Sequence, residues 1–177
     1  PVTRRTTGGG AVYHDQEITY SIIAPEKMFS KDITTSYGQV LKPILKALHS
    51  VGIEAKFRPL NDLIFEERKI SGNAQTRKGG VLLQHGTIIL KADQEKMFTY
   101  LTPDANKNSD KPYIKSNRKS VKGILREGVT AQQVMDAIRR ELISALRASP
   151  GTWSDDEREV AKELAEKYRS DEWVKLR

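Results

Sequence analysis

The residues of this 177-residue chain that are best suited to chemistry fall in four short segments. The first runs from Arg4 to Asp15 and reads Arg-Arg-Thr-Thr-Gly-Gly-Gly-Ala-Val-Tyr-His-Asp. Three consecutive glycines leave backbone N–H groups unshielded, so such a loop can wrap a phosphate or a carboxylate beside the fixed charge of the arginines. A flexible turn is the alternative, since neither the dinucleotide fingerprint nor the P-loop spacing is present.

The second segment places a lysine inside a strand-like stretch, Arg68-Lys-Ile-Ser-Gly-Asn-Ala-Gln75. The ammonium of Lys69 could point into a site and neutralise charge on a phosphate or a polarised carbonyl. An exposed lysine on a sheet edge is the alternative.

The other two segments add a histidine and a carboxylate. His85 and Gly86 lie within an apolar run, where a glycine often marks the close approach of a ligand, although a hydrogen-bonded core histidine fits the same pattern. Asp62 closes the stretch Arg58-Pro-Leu-Asn-Asp and could bind Mg²⁺ near a triphosphate. A turn before a strand explains these residues equally well.

Hydrophobic periodicity and turn residues predict the elements that position these segments. Strands are expected at Glu17–Ala24, Asp62–Phe65, Lys69–Gln75 and Val81–Leu90, the last buried on both faces, with a hairpin turn at Thr76–Gly80. Helices are expected at Ile33–Val51, where Pro43 predicts a kink or a late start, and after capping signals at Thr130 and Ser154. The polar stretch Asp104–Lys119 predicts a surface loop. Residues 1–177 are therefore predicted to form a single α+β domain.

Composition narrows the classes of partner. The net charge of +7 fits nucleic acid, an anionic membrane surface or an acidic protein, but an aromatic fraction of only 7% argues against a stacking platform for single strands. The sequence lacks the run of about 18 apolar residues that a membrane span needs. It contains no cysteine, which fits a cytoplasmic protein and leaves no residue here that can form a thioester.

Taken in order, the four segments resemble the lipoate–protein ligase A family, and the resemblance extends from about Thr3 to the end of the chain. It implies the class II synthetase-like fold shared with biotin ligases, a mixed sheet flanked by helices. It also implies that ATP and Mg²⁺ convert lipoate to lipoyl-AMP, and that the lipoyl group then passes to a lysine of an acceptor protein.

The resemblance assigns roles to individual positions. Lys69 is implied to be catalytic, contacting both the adenylate phosphate and the lipoyl carbonyl. ATP and lipoyl-AMP are implied to be bound by Arg5, Gly8, Gly9, Gly10, Ala11, Val12, Tyr13 and Lys69. The lipoate pocket is implied to include His14, Asn61, Ser71, Gly72, His85, Gly86 and Thr87, with Asp62 as the candidate Mg²⁺ ligand.

The partners implied are acidic acceptors, namely lipoyl domains of 2-oxoacid dehydrogenases and the glycine-cleavage H protein, which a basic surface would attract. The family's catalytic domain has elements before the glycine-rich motif, and some members use a separate accessory C-terminal domain. We therefore expect a separate or cleaved N-terminal portion and a possible accessory protein. Nucleic acid and membrane partners are not expected.

Two other functions remain open. An octanoyl- or lipoyl-transferase of the same fold moves an acyl group without ATP, and such enzymes use a cysteine nucleophile or a cysteine–lysine pair. Because the chain lacks cysteine, the sequence favours the ligase. A non-catalytic basic binding module is the alternative from a different class.

Overall fold

The computed structural model describes residues 2–101 and 121–176. The strands in this part of the chain are β1 (Glu17–Pro25), β2 (Lys56–Arg58), β3 (Asp62–Phe65), β4 (Arg68–Lys78) and β5 (Val81–Ile89). The helices are α1 (Ile33–Ser50), α2 (Gln94–Tyr100), α3 (Ala131–Leu146), α4 (Asp155–Arg169) and α5 (Asp171–Val174), with a 3-10 turn at Glu26–Met28. The strands form one sheet in the order β1-β5-β4-β3-β2.

The predicted α+β, synthetase-like class is confirmed. Neighbouring strands of the sheet are antiparallel, and the parallel contact among the described residues is an isolated bridge between Lys69 and Val121. Antiparallel strands need only short connections, which explains how β3, β4 and β5 follow one another so closely along the chain.

The core lies between one face of the sheet and the helices α1 and α3. Apolar residues of α1 recur at helical spacing and are buried against the sheet, at Tyr37, Val40, Leu41, Ile44 and Leu48. The helix begins at an Asp32 cap, whose carboxylate accepts a hydrogen bond from Thr35 N at 2.7 Å, and it continues through Pro43 to Ser50. Gly52 follows with a φ of +78°, a conformation that glycine adopts without strain.

The prediction that β5 is buried on both faces is wrong. Leu82, Gln84, Gly86 and Ile88 face the core, whereas the alternate residues are half-buried or exposed. Successive side chains of a strand point to opposite faces, so the second group, including His85, faces away from α1. The hairpin turn is also tighter than predicted, at Gly79 and Gly80, because Thr76–Lys78 remain paired with β5.

Both predicted capping boxes are present, at Thr130 before α3 and at Ser154 before α4. The two helices differ in what they bury. α3 packs against α1 through Val134, Ala137 and Ile138, whereas no residue of α4, all of which is described, is buried. The predicted loop at Asp104–Lys119 lies outside the described residues. Within the described residues, no helix is long and apolar enough to cross a membrane.

Candidate active site

Lys69 is held in an ion pair at the start of β4. Its Nζ lies 2.7 Å from Oδ1 of Asp62, and both side chains are largely but not fully buried. The alignment is that of an ion pair rather than a well-directed hydrogen bond. The carboxylate neutralises the ammonium without enclosing it, since an ammonium has three donors.

Gly72 provides the space into which Lys69 folds. A Cβ atom at Gly72 would lie 3.0 Å from Cε and 3.1 Å from Nζ of Lys69, closer than ordinary van der Waals contact. The pairing of β3 with β4 shifts by one residue at a bulge between Leu63 and Ile64. The bulge interrupts the alternation of side chains between the two faces of the sheet, so the Lys69 side chain can turn back over Gly72. Asp62 pairs with Gly72 across the two strands.

The glycine-rich loop is closed by Arg5. Its Nη2 donates to the carbonyl oxygens of Gly8 and Gly10, each at 2.9 Å. Gly9 has a φ of +112°, and a Cβ there would lie 2.6 Å from Arg5 Nη2. The guanidinium therefore fixes the loop from inside while the three glycines remain exposed to solvent.

The end of the loop is attached to α2. The Tyr13 ring stacks on Tyr100 with centroids 5.3 Å apart, and Lys96 Nζ lies 3.1 Å from Asp15 Oδ2. Contacts with Tyr13 and then Asp15 raise the pKa of Lys96, which stays protonated. His14 instead hydrogen-bonds Glu17, whose pKa is raised by burial. Ala11 and Val12 are exposed.

His85 lies beside an open cleft on the sheet face opposite α1. Its Nε2 is 2.5 Å from Oγ1 of Thr7. Burial, followed by the charges of Arg5 and His14, lowers the pKa of His85, so the ring is neutral at neutral pH. The cleft has a volume of about 580 Å³ and is lined by Arg4, Arg5, Thr6, Thr19, Tyr20, Ser21, Leu83, His85 and Tyr168.

Several predicted pocket residues have other surroundings. Ser71 is fully buried and accepts a hydrogen bond from Asn73 Nδ2 at 3.2 Å. Gly86 faces the core, where a Cβ would lie 1.9 Å from Asn73 Oδ1, so a side chain rather than a ligand fills the space that this glycine leaves. Thr87 pairs with Thr19 on β1, and Asn61 hydrogen-bonds Asn73.

The Mg²⁺ role of Asp62 stays a prediction. Its carboxylate is paired with Lys69, and no group of three or more His, Cys, Asp or Glu side chains comes together among the described residues. Mg²⁺ commonly keeps several waters and is held by one or two carboxylates together with substrate phosphates, so Asp62 would hold such an ion only with oxygen ligands from a substrate.

The structure thus divides the predicted residues between two places. One is the Asp62–Lys69 pair with Asn61 and Gly72, and the other is the glycine-rich loop with His85. Sequence reasoning missed Thr7, although it lies inside the motif, and Tyr168, which reaches the cleft from α4 with no local signal. It also missed Lys122, whose N–H donates to the Lys69 carbonyl at 2.9 Å.

Comparison with known proteins places this site in a family. Residues 1–143 match the family described as lipoyl protein ligase A/B catalytic domain. Octanoyltransferase LipM of Clostridioides difficile (strain 630) is 34% identical over 205 residues, covering 99% of this chain and 74% of that protein. Seven further curated relatives with the same name are 30–32% identical and cover at least 96% of this chain.

Two solved structures share the fold. A bi-partite lipoate protein ligase from Thermoplasma acidophilum, described together with its E2 lipoyl domain, superposes with a TM-score of 0.81 at 28% identity, covering 98% of this chain and 69% of that one. A lipoate-protein ligase A bound with ATP gives a TM-score of 0.81 at 25% identity, covering 98% and 71%.

These comparisons correct the function predicted from sequence. An ATP-dependent lipoate ligase was favoured, but the curated relatives that span nearly all of this chain are described as octanoyltransferases. The prediction of a ligase rested on the absence of cysteine, but direct attack of an amine on a thioester needs no cysteine of the enzyme. The predicted enzyme family is confirmed: the chain belongs to the lipoyl protein ligase A/B catalytic domain family.

Proposed function

We propose that this protein transfers an octanoyl group from a thioester donor, such as an acylated carrier protein, to a lysine of an acceptor protein. The observation that carries the proposal is the shared description of eight relatives, each at least 30% identical over 96% or more of the chain. The E2 lipoyl domain described with the Thermoplasma acidophilum structure supports a lipoyl domain as the acceptor.

Lys69 is the residue that we assign to the reacting carbonyl. Its ammonium is fixed by Asp62 and has no second hydrogen-bond or ion-pair partner among the described residues, so donors remain for an oxygen that gains negative charge in the transition state. The amine of the acceptor lysine attacks the thioester carbonyl, a C–N bond forms, and the C–S bond breaks. The departing thiolate takes up the proton that the amine loses.

Transfer by this chain would need no acyl-enzyme thioester. The 177 residues contain no cysteine, so the acyl group passes directly from donor to acceptor in this proposal. Arg5 holds the glycine loop by two hydrogen bonds, and the loop has exposed backbone N–H groups beside positive charge. Such a loop suits a phosphate group on the acyl donor. Binding of ATP or free lipoate by the same loop is not required. A cytoplasmic location remains our expectation.

The test is an acylation assay read by the intact mass of the acceptor. The protein, apo lipoyl domain and octanoyl-carrier protein are incubated without ATP, and a second arm contains free octanoate or lipoate with MgATP. We expect a gain of one octanoyl group in the first arm. Acylation confined to the second arm would overturn the proposal, and tight acceptor binding without acylation in either arm would favour a binding module.

Lys69→Ala supplies the variant arm of this assay. We expect the rate to fall about 100- to 1000-fold, the loss typical of removing one oxyanion-stabilising group. Lys46→Ala is the matched control, because Lys46 is also paired with a carboxylate, that of Glu141, but lies on α1. Equal rates for the two variants would show that Lys69 has no special role.

A further inference from the structure

Two asparagines join the turn before β3 to the middle of β4. The side-chain Nδ2 of Asn73 donates to the backbone oxygen of Asn61 at 2.8 Å, and the backbone N–H of Asn73 donates to the same oxygen at 3.1 Å. Asn61 Nδ2 in turn donates to the backbone oxygen of Asn73. Three hydrogen bonds in a partly buried setting fix the turn on the strand.

Tyr20 on β1 sets the orientation of the Asn73 amide. Its hydroxyl donates to Oδ1 of Asn73, which leaves Nδ2 directed at Asn61. Gln84 Nε2 supports the Tyr20 oxygen at 3.4 Å. Burial raises the pKa of Tyr20, so it remains a neutral donor at any pH at which the enzyme would work.

Gly86 leaves the space for this contact. A Cβ at Gly86 would lie 1.9 Å from Asn73 Oδ1 and 2.8 Å from Cε1 of Tyr20. One contact on the core-facing side of the sheet therefore joins β1, β4 and β5, through Tyr20, Asn73 and Gly86. We call these three residues the unit. These contacts explain why residue 86 is a glycine, because any side chain there would overlap Asn73 and Tyr20.

The unit leads directly to the candidate active site. Asn61 is followed by Asp62, and the Asp62 carboxylate holds Lys69 Nζ at 2.7 Å. We propose that Asn73, oriented by Tyr20, is a positioning residue that fixes the Asn61–Asp62 turn and thereby aims Asp62 and Lys69. Its effect on turnover rests on the proposed function, whereas its effect on Lys69 itself does not.

Tyr20→Phe is the mildest test, because it removes one hydroxyl and retains the ring. We expect kcat for acyl transfer to fall about two- to tenfold, the effect of one hydrogen bond, with KM nearly unchanged. Tyr37→Phe is the matched control. It deletes another buried phenol hydroxyl, one that contacts the backbone of Gln75 instead of Asn73.

A second readout follows Lys69 without any acyl transfer. An amine-acetylating reagent is applied to the folded protein, and peptide mass spectrometry gives the labelling rate of Lys69 relative to exposed Lys46. Tyr20→Phe should raise this ratio about two- to tenfold by loosening the Asp62 contact, and Tyr37→Phe should not. An unchanged ratio in Tyr20→Phe would overturn the proposal.

Asn73→Asp gives an independent variant if Tyr20→Phe unfolds. It keeps the size and the acceptor for Tyr20 but loses the Nδ2 donors to Asn61 and Ser71. The Lys69 labelling ratio should again rise, and no rise would count against the proposal. If the wild-type protein shows no acylation but the ratio still responds, the proposed function fails and the positioning role stands.

Discussion

At the residue scale, Lys69 suits its setting better than an arginine would. A lysine ammonium is compact, and Asp62 neutralises its charge through an ion pair while Gly72 makes room for the folded side chain. A planar guanidinium would need a wider slot and a bidentate partner. Within residues 2–101 and 121–176, Asp62 is the partner of the Lys69 ammonium, so its other N–H groups can donate to a carbonyl carbon's oxygen as that carbon becomes tetrahedral.

His85 gives a prediction about pH. Burial and nearby positive charge lower its pKa below the ordinary 6.5, so the unfolded chain takes up the proton first as the pH falls. Its contribution to stability is complete above about pH 6.5 and is lost as the pH drops toward the folded pKa. Melting curves from about pH 7.5 to 5.5 should show a smaller loss of Tm for His85→Gln than for wild type.

The wild-type melting curves alone do not test the role of His85, because Glu17 changes stability with pH in the opposite direction. Burial raises the pKa of Glu17, so its contribution grows as the pH falls. The difference between wild type and His85→Gln isolates the histidine. Parallel curves for the two proteins would contradict the prediction.

Gly123 gives a second prediction at this scale. A Cβ there would lie 2.5 Å from the Leu90 carbonyl oxygen and 2.7 Å from the Lys91 Cα, both backbone atoms with little room to move. Gly123→Ala should lower the free energy of unfolding by about 1–3 kcal/mol, the usual cost of overpacking, measured by urea denaturation.

Gly151→Ala is the control for Gly123→Ala. Among the described residues, no atom outside its immediate chain neighbours lies within 4 Å of the Cβ that this change adds, and the backbone does not have a positive φ. Its stability should remain within about 0.5 kcal/mol of wild type. If the two variants were equally stable, the segment at Gly123 would not be packed as described.

Individual residues also show how far the sequence could predict the site. The sequence could name Lys69 as a candidate only through the family resemblance, and Arg5 because it also adjoins three glycines, whereas the contact of Lys69 with Asp62 depends on how β3 pairs with β4. The role of Gly86 could not, because its close neighbour Asn73 is 13 positions away in sequence and the register of β4 on β5 decides their contact. Tyr168 enters the cleft only through tertiary packing.

At the element scale, the same type of N-terminal cap, a capping box, precedes one helix that packs in the core and one that does not. Thr130 and Ser154 each accept a hydrogen bond from the N3 backbone N–H, but α3 packs against α1 and α4 buries nothing. The helical spacing of Val160 and Leu164 gives α4 an apolar stripe along one side. Both residues are more than 40% exposed. Hydrophobic spacing shows that a helix has an apolar face, but it does not show which element packs against that face.

The matched caps give the third prediction. Thr130→Ala should lower the global free energy of unfolding by about 0.5–2 kcal/mol, because loss of the cap frays a helix that is part of the core. Ser154→Ala removes the same interaction from α4 and should leave the main unfolding transition in place while reducing helical circular dichroism before it. An equal shift of the main transition in both variants would mean that α4 unfolds together with the core.

At the scale of the whole molecule, part of the net positive charge lies near Lys69. The pKa of Glu66 is lowered, first by its hydrogen bond from Lys122 and then by the charges of Lys122, Arg126 and Arg68. Lys122, Arg126 and Arg68 therefore place positive charge on the rim beside the Asp62–Lys69 pair. The net charge of +7 thus includes a basic surface at the place where we propose that the acceptor lysine arrives.

This distribution gives the last prediction, which concerns salt. Attraction between a basic enzyme and an acidic lipoyl domain speeds their encounter, and added salt screens it over about 10 Å at 0.1 M. Raising the salt from about 20 to 200 mM should lower kcat/KM for the lipoyl domain several-fold and leave kcat nearly constant, because the reacting groups are already in contact at saturation. A lysine peptide of zero net charge is the control acceptor and should show little salt dependence. If both acceptors responded equally to salt, the ions would be acting on the active site itself rather than on the encounter of the two proteins.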